Sequence, residues 1–253
     1  MRLLTVNIHK GVSAFKRRTV LHGLRDAVRA VDPDVLMLQE VEGASRQATG
    51  ASDGAVGAQY EFLADQIWTD HAYGRNAVAD GLDHGNAVLS RWPILRSHNH
   101  DVSVPGHEPR GLLHCELAVP AGAGSLHVIC VHLGLREDHR RQQMASLGAI
   151  VAREVPAEAP LVVAGDFNDW RQQADALLGP SGLTEVYRHT TGRPMRSFPA
   201  RWPLLRLDRV YVRGVGACRP VSLPRRPWSW LSDHLPLAVD IQLPGPAARS
   251  GDL

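Results

Sequence analysis

The feature that most constrains the fold is a set of short apolar runs that end in polar side chains. The clearest is LVVAGDFN, residues 161–168, in which four apolar residues lead into Gly-Asp-Phe-Asn. Because the side chains of a strand alternate between its two faces, we expect Asp166 and Asn168 to point the same way as the strand ends, with Phe167 turned away. A carboxylate beside an amide at this position is compatible with a plain turn, or with half of a site that handles phosphate and metal.

The same pattern recurs elsewhere in the chain. Apolar runs end at Asn7, Glu40 and His132, and the pair Asp233 and His234 comes just before another apolar run. A single acid after a strand is usually solvated, and a single Ser-Asp-His is usually a turn or a helix cap. Five such places in chain order favour a catalytic site, because catalytic groups commonly lie on loops held by a rigid sheet.

The order of helix and strand patterns predicts the fold class. Apolar spacing predicts helices near residues 16–31, 59–68 and 137–155, and a surface loop over residues 43–58. Strand patterns occur at residues 2–8, 35–41, 86–90, 94–104, 111–119, 125–133, 161–168, 206–212 and 235–243. This order favours a mixed α/β (α+β) domain over a simple doubly wound sheet. We predict one domain over residues 1–243 and a disordered tail over residues 244–253.

Composition excludes several classes of protein. With 44% hydrophobic and 21% charged residues, the chain resembles an ordinary soluble globular protein. No apolar run approaches the ~20 residues that span a bilayer, and the first ten residues lack a signal-peptide core. Cys115, Cys130 and Cys218 have no metal-type spacing, so we expect reduced thiols and a cytoplasmic protein. P-loop, GxGxxG and GxSxG motifs are also missing, which argues against nucleotide cofactors and a serine nucleophile.

The polar residues and the charges indicate the kind of ligand. Carboxylate and amide oxygens suit hard cations such as Mg²⁺, Mn²⁺ or Ca²⁺, and no Cys or His pair has a zinc spacing. The net charge of +2 hides an asymmetry, since residues 188–227 contain ten arginines and one acid. Such asymmetry is typical of a surface for anionic ligands, but it is also compatible with a general preference for arginine over lysine.

Eight short motifs occur in a fixed order: TVNIHKG, LQEV, HGNAVLSRWPI, PRGLLHCEL, VHLG, GDFN, RLDRVYV and SDHLPL. Together they resemble the endonuclease/exonuclease/phosphatase superfamily, which includes DNase I, abasic-site endonucleases of the exonuclease III type, neutral sphingomyelinases and inositol polyphosphate 5-phosphatases. The resemblance extends from Thr5 to about Leu243. It implies a four-layered α/β sandwich of the DNase I-like kind, with two mixed β-sheets packed face to face, helices outside and the site at one end.

The resemblance also implies roles for the polar residues. Glu40 matches the acid that binds the divalent cation, and Asn7 matches an amide beside the metal and the phosphate. Asp166 matches the residue that orients or deprotonates the attacking water, and Asn168 matches the amide that holds the phosphate. Asp233 matches an acid that helps to bind metal or to polarise the neighbouring histidine. The structural alternatives are a solvated acid, a satisfied buried amide and an Asx-turn.

Further roles concern the histidines and the substrate. His234 matches the histidine that contacts the scissile phosphate, Asp208 the acid that fixes its tautomer, and His132 a second phosphate-contacting histidine. A core histidine on a strand is the alternative for His132. Arg110 is suited to clamp a phosphate oxygen and Asn86 to brace the site. The remaining candidates for phosphate or substrate binding are Lys10 and His9.

The implied reaction is in-line attack of an activated water on a phosphodiester, with Mg²⁺, or else Mn²⁺ or Ca²⁺, as cofactor. Nucleic acid is the first substrate class, because the arginines could follow a phosphate backbone and Trp202, Trp228 and Trp230 could stack on bases. Those tryptophans could equally pack in the core or in a loop. A phospholipid or a small phosphorylated molecule is the alternative substrate, and an inactive binding module on the same fold is a third interpretation. No obligate protein partner is indicated.

Overall fold

The computed structural model describes residues 1–12, 20–43, 58–64, 67–79, 82–120 and 124–245. Within these residues there are twelve strands: β1 (Arg2–Asn7), β2 (Val35–Glu42), β3 (Asp70–Ala79), β4 (Leu82–Ser90), β5 (Ile94–Asp101), β6 (Gly111–Ala118), β7 (Ser125–His132), β8 (Leu161–Asp166), β9 (Thr184–Glu185), β10 (Asp208–Arg213), β11 (Cys218–Val221) and β12 (Leu237–Ile241). The same residues form six α-helices: α1 (Leu21–Val31), α2 (Gln59–Ala64), α3 (Glu137–Glu154), α4 (Ala174–Leu178), α5 (Val186–Thr191) and α6 (Trp228–Leu231).

The strands form two six-stranded sheets. Their orders are β11-β12-β1-β2-β4-β3 and β5-β6-β7-β8-β10-β9. One pair in each sheet is parallel, β1 with β2 and β7 with β8, and the other described pairs are antiparallel. Each parallel pair needs a long crossover connection, and the crossovers contain α1 and α3 respectively. The prediction of two mixed sheets is confirmed.

Strand alternation divides the apolar side chains between layers. On β1 and β2, Leu3 and Met37 belong to the core between the sheets, whereas Leu4 and Leu38 pack with Leu24 of α1 on the outer face. β7 and β8 divide their side chains in the same way between the inter-sheet core and α3. The result is helix, sheet, sheet, helix, which confirms the predicted four-layered sandwich.

The two parallel pairs place their carboxyl ends at one edge of the sandwich. Asn7 at the end of β1 lies opposite Gln39 of β2, and His132 at the end of β7 lies opposite Asp166 of β8. β10 runs antiparallel to β8, so its first residue, Asp208, also pairs with Asp166. Polar residues that are far apart in sequence therefore meet at this edge.

The structure differs from the sequence-based prediction in several elements. It adds strands β3, β9 and β11 and helices α4, α5 and α6. The first predicted helix is described only from Leu21, because residues 13–19 lie outside the described part of the chain. Residues 44–57 of the predicted loop and residues 246–253 of the predicted tail also lie outside it. A single domain over residues 1–243 remains a prediction, supported by the core shared between the sheets. Of the helices in the described ranges, none is both long and apolar enough to cross a membrane.

Candidate active site

Four polar side chains meet where β1, β2, β7 and β8 end. Asn7 Nδ2 lies 3.0 Å from Glu40 Oε1 and 3.3 Å from Asp166 Oδ2, and it donates to both. His132 Nε2 lies 3.9 Å from Glu40 Oε1 and 3.7 Å from Asp166 Oδ2. Each sheet therefore contributes one parallel pair to the group. Asp166 is 2% exposed and lies among the others.

His234 joins the group from the loop that precedes β12. Its Nε2 lies 3.8 Å from Asp166 Oδ2, and its Nδ1 forms a 2.8 Å hydrogen bond with Asp208 Oδ2. Asp208 is held by the β8–β10 ladder, so the strand register places both carboxylates beside the imidazole. The bond to Asp208 fixes the orientation of the ring and keeps a proton on Nδ1.

The backbone is strained where these side chains leave the strands. Glu40 has a φ of 53° and lies in a β-bulge between Leu38 and Val41. Asn168 and His9 also have positive φ values, 49° and 46°. Residues other than glycine rarely adopt this conformation, and such strain concentrates at functional sites. A bulge re-aims a side chain out of the regular alternation, as Glu40 requires to face the other sheet.

The two oxygens of Asp166 do different things. Oδ1 accepts a 2.8 Å hydrogen bond from the backbone N–H of Asn168, which is the Asx-turn that GDFN suggests. Oδ2 faces Asn7, His132 and His234. The turn and the site therefore coexist. β8 ends at Asp166, and the backbone of Asn168 is in the left-handed conformation. The alternation of side chains along a strand therefore does not determine where the Asn168 side chain points. Its Nδ2 donates to Leu133 O at 2.9 Å.

Burial and neighbouring charges set the protonation of the site. Burial raises the pKa of Asp166 to about 6, although His234 acts in the opposite direction. Burial disfavours the charged form of His234, but the carboxylates of Asp208 and Asp166 outweigh it and raise the pKa of His234 to about 10. Burial lowers the pKa of His132 well below its usual value, and Arg110 acts in the same direction. At neutral pH the site therefore holds an ionised Asp166, a protonated His234 and a neutral His132.

Arg110 lies behind His132 in a chain of polar contacts. Arg110 Nη2 donates to Glu108 Oε2 at 2.8 Å, and Glu108 Oε1 lies 2.9 Å from His84 Nε2. The hydrogen bond from His84, together with that from Arg110, lowers the pKa of Glu108. Arg110 is 6% exposed, and its Nε has no hydrogen-bond partner. The sequence pattern identified Arg110 but not Glu108 or His84. For Glu108, the available signal was its position two residues before Arg110, in the tripeptide Glu-Pro-Arg.

A second ion pair flanks the site on the side of β1. His9 Nδ1 lies 3.0 Å from Asp233 Oδ2, and this hydrogen bond raises the pKa of His9. Ser232, which sequence reasoning did not select, donates from Oγ to Asn7 O at 2.6 Å and accepts from His234 N–H at 3.2 Å. Ser232 thus ties the Asp233–His234 loop to the end of β1.

Three predicted residues are placed differently from the rest. Asn86 is fully buried, and its Nδ2 donates to the carbonyls of Gly111 and Cys130, so it braces β4 against the other sheet. The Lys10 carbonyl accepts from Gln59 Nε2 at 2.9 Å, in a 3₁₀ turn over His9–Gly11. The suggestion that Trp228 stacks on bases is wrong, because its side chain packs in the outer core and is 2% exposed.

The donor set at this edge fits a hard divalent cation. The side chains of Glu40 and Asp233 are each 24% exposed, so a cation bound there could keep the waters that Mg²⁺ retains. Asn7 is oriented differently from a metal ligand. Its Oδ1 accepts from His9 N–H at 3.0 Å while its nitrogen faces Glu40, so a direct metal role for Asn7 stays a prediction. Asp166, Asp208 and His234 offer a further set of atoms that lie within 4.8 Å of one another.

The sequence matches the profile of a known protein family. The profile of the endonuclease/exonuclease/phosphatase family matches residues 4–234, a range that contains the whole site. The chain belongs to this family.

Individual relatives agree with the family assignment. The chain is 52% identical over 244 residues to the uncharacterized protein YbhP of Escherichia coli (strain K12), with 96% of each chain covered. It is similar in structure to the endonuclease/exonuclease/phosphatase from Beutenbergia cavernae DSM 12333, with a TM-score of 0.75, 23% identity and coverage of 97% of this chain and 72% of that chain. It is also similar to an endonuclease/exonuclease/phosphatase family protein from Leptotrichia buccalis C-1013-b, with a TM-score of 0.72, 18% identity and coverage of 96% and 99%. These similarities confirm the predicted DNase I-like fold.

Proposed function

We propose that this protein is a metal-dependent phosphodiesterase that acts on nucleic acid. The observation that supports the reaction most directly is the position of Asp166. It is a buried carboxylate, ionised near neutral pH, between the imidazolium of His234 and the bulge of β2 in which Glu40 lies. A general base and a cationic hydrogen-bond donor side by side are what hydrolysis of a phosphodiester by water needs.

Each side chain has a step that its surroundings suit. A bound Mg²⁺ or Mn²⁺ would draw charge from a non-bridging phosphate oxygen, and Glu40 and Asp233 are the residues that would hold it. Asp166 orients a water in line with the phosphorus and accepts its proton. His234, with Nδ1 held by Asp208, donates from Nε2 to the charge that develops on the phosphate.

Two further groups would support the phosphate. Asn168 uses one amide proton on Leu133 O and has a second proton for a phosphate oxygen. His132 is neutral, so it can donate one hydrogen bond without adding a charge, while Arg110 supplies positive charge from behind it. His9 and Lys10 lie in the left-handed turn after β1, where the substrate strand would pass.

The proposal of nucleic acid is supported by aromatic and basic side chains beside His234. Ala200 N–H donates to Asp233 O at 2.7 Å, so the loop after Phe198 packs directly on the site. In this loop Trp202 is 70% exposed, and Arg201 lies 4.1 Å above the ring of Trp230, which is 46% exposed. Exposed rings that alternate with arginines suit stacked bases and their phosphates.

A phospholipid or a small phosphorylated molecule is the second candidate. The observation that favours it is the apolar character of the same loop, where Leu204 is 65% exposed beside Trp202. Exposed Leu and Trp side chains among arginines also suit an anionic membrane surface.

The first experiment is hydrolysis of bis-p-nitrophenyl phosphate with Mg²⁺ or Mn²⁺, with and without EDTA. We expect turnover that requires metal and that falls by at least about 100-fold in Asp166→Asn and His234→Gln. His189→Gln, on the exposed face of α5, is the matched control. Full activity in both site variants, with far-UV circular dichroism like that of the wild type, would falsify the site assignment.

The substrate is tested with single-stranded DNA, RNA and phosphatidylglycerol vesicles in parallel. Trp202→Ala should raise KM on the preferred nucleic acid by roughly 5- to 150-fold, because stacking contributes about 1–3 kcal/mol per base. Turnover of bis-p-nitrophenyl phosphate should not change, since that substrate has no base to stack. Preference for the vesicles would support the lipid alternative instead.

We also propose a cytoplasmic location, which the three free thiols support.

A further inference from the structure

A second group of histidines lies on the sheet β5-β6-β7-β8-β10-β9, on its outer face and away from the candidate active site. His98 and His100 lie on β5, His114 on β6 and His127 on β7, and the group is completed by Glu154 at the end of α3. His127 is five residues before His132 on the same strand, which corresponds to roughly 16 Å. This second group therefore lies well away from Asp166.

Three of these side chains point ligand atoms at a common place. His100 Nε2 lies 3.1 Å from Glu154 Oε2, and His114 Nδ1 lies 3.7 Å from the same oxygen. The three ligand atoms are all within 4.8 Å of one another. Ligands that lie about 2.1 Å from a tetrahedral Zn²⁺ are roughly 3.4 Å apart, and the two distances to Glu154 Oε2, 3.1 and 3.7 Å, lie on either side of this value.

The contacts within the group do not provide every polar atom in it with a hydrogen-bond partner. His100 is 9% exposed, and its buried Nε2 lies 3.1 Å from Glu154 Oε2 as an ion-pair contact without a regular hydrogen-bond partner. The other oxygen of Glu154, Oε1, accepts from Arg153. Oε2 and the His100 nitrogen thus both lie inside the group, as two ligands of one ion would.

The surroundings also fit a metal-binding histidine. His114 Nδ1 faces Glu154, and the other ring nitrogen, Nε2, lies 2.9 Å from His127 Nδ1. The nitrogen of His114 that does not face the group therefore has a hydrogen-bond partner. Metal-bound histidines usually have such a partner, which fixes the tautomer.

We propose that His100, His114 and Glu154 bind Zn²⁺ at a site separate from the proposed phosphodiesterase site. Imidazole with one carboxylate suits zinc better than magnesium. A groove of about 500 Å³ over His114 and His127 gives the ion access and leaves the fourth position open to water. The ion would fasten the carboxyl end of α3 to strands β5 and β6. This inference does not depend on the proposed function.

The test is zinc binding to the full chain after removal of metals, measured by competition with a chromophoric chelator. The parent carries Glu40→Gln and His234→Gln, so that neither the acidic site nor the group of Asp166, Asp208 and His234 contributes in full. We expect one tightly bound Zn²⁺ per chain, and with Co²⁺ the strong visible absorption of a tetrahedral complex. Both should be lost when His114→Gln or Glu154→Gln is added, and both should be kept with His189→Ala. His127→Ala should weaken affinity by about 10- to 100-fold, because it removes the partner of a ligand.

The outcome does not depend on the stability of one variant. The Glu154 side chain is 30% exposed at a helix end, so Glu154→Gln tests the site even if a buried histidine substitution unfolds the chain. The proposal is overturned if the folded parent binds no zinc. It is also overturned if Glu154→Gln and His114→Gln both bind zinc within about twofold of the parent.

Discussion

Asp166 and His234 divide the base and acid roles through their surroundings. Burial raises the pKa of Asp166 to about 6. Asp208 and Asp166 raise the pKa of His234 to about 10, although its burial acts in the opposite direction. These two values define a pH window. Inside it Asp166 is ionised and His234 is protonated, which is the state that hydrolysis needs. We expect kcat/KM for bis-p-nitrophenyl phosphate to rise as the pH passes about 6 and to fall as it passes about 10.

The profile is measured at a fixed concentration of free Mg²⁺. In Asp166→Asn the residual activity should lose the acid limb, because the group that titrates there is gone. A wild-type profile that is flat between pH 5 and 8, or an acid limb that survives in Asp166→Asn, would contradict the assignment of Asp166 as the base.

Asp208 is expected to act through His234 and not on the substrate. Asp208→Asn removes the charge that opposes the burial of His234, so the pKa of the imidazole should fall from about 10. We expect the alkaline limb of kcat/KM to move down by more than one pH unit, with at least about a twofold loss at pH 9. The matched control is Asp26→Asn, an exposed acid on α1. An unchanged alkaline limb with reduced activity would indicate a purely structural role.

At this scale the sequence predicts the residues at strand ends better than those that hold them. Glu40, His132 and Asp166 stand out because each follows an apolar run, and the structure does bring them together. Ser232 could not be identified this way, since its contact with the carbonyl of Asn7 joins positions 225 residues apart. Hydrogen bonds between a side chain and a distant backbone group leave no periodic trace in a sequence.

Among the elements, the β7–β8 pair depends on a glycine. Gly165 has a φ of 142°, and a Cβ there would lie 2.0 Å from Val131 O on the neighbouring strand. Gly165→Ala should therefore lower the free energy of unfolding by at least about 2 kcal/mol, seen as a lower midpoint in urea. Gly106→Ala also has a positive φ, 78°, but meets nothing within 4 Å, so it measures the backbone cost alone. Equal losses in the two variants would show that the close approach of the strands is unimportant.

The elements that the sequence failed to predict share a physical cause. β3 carries polar and small residues, DHAYGRNAVA, and so lacks the apolar run that marks the central strands. β11 contains Pro220 and lies at a sheet edge, where a missing backbone donor is tolerated. The histidines of the proposed zinc site were missed for a related reason. His100 and His114 are fourteen residues apart in sequence, and the pairing of β5 with β6 brings them together.

For the whole molecule, the two proposed cation sites have different chemistry and lie apart. Glu40, Asp233 and Asp166 gather negative charge at one edge, and this charge should be relieved by a hard cation. Mg²⁺ at about 100 times its Kd would stabilise the fold by about 2.7 kcal/mol, which for a chain of this size raises Tm by roughly 5–10 °C. We expect this shift in the wild type and in His114→Gln, but not in Glu40→Gln.

Zinc should give the complementary pattern, because imidazole ligands outweigh carboxylates in selecting it. In Glu40→Gln, Zn²⁺ should still raise Tm, whereas Glu40→Gln combined with His114→Gln should show no rise with Mg²⁺ and a much smaller rise with Zn²⁺. Differential scanning calorimetry of the four proteins with each cation separates the sites without any substrate. A Mg²⁺ shift that persists in Glu40→Gln would place the hard cation elsewhere, and a Zn²⁺ shift as large in the double variant as in Glu40→Gln would rule out the histidine site.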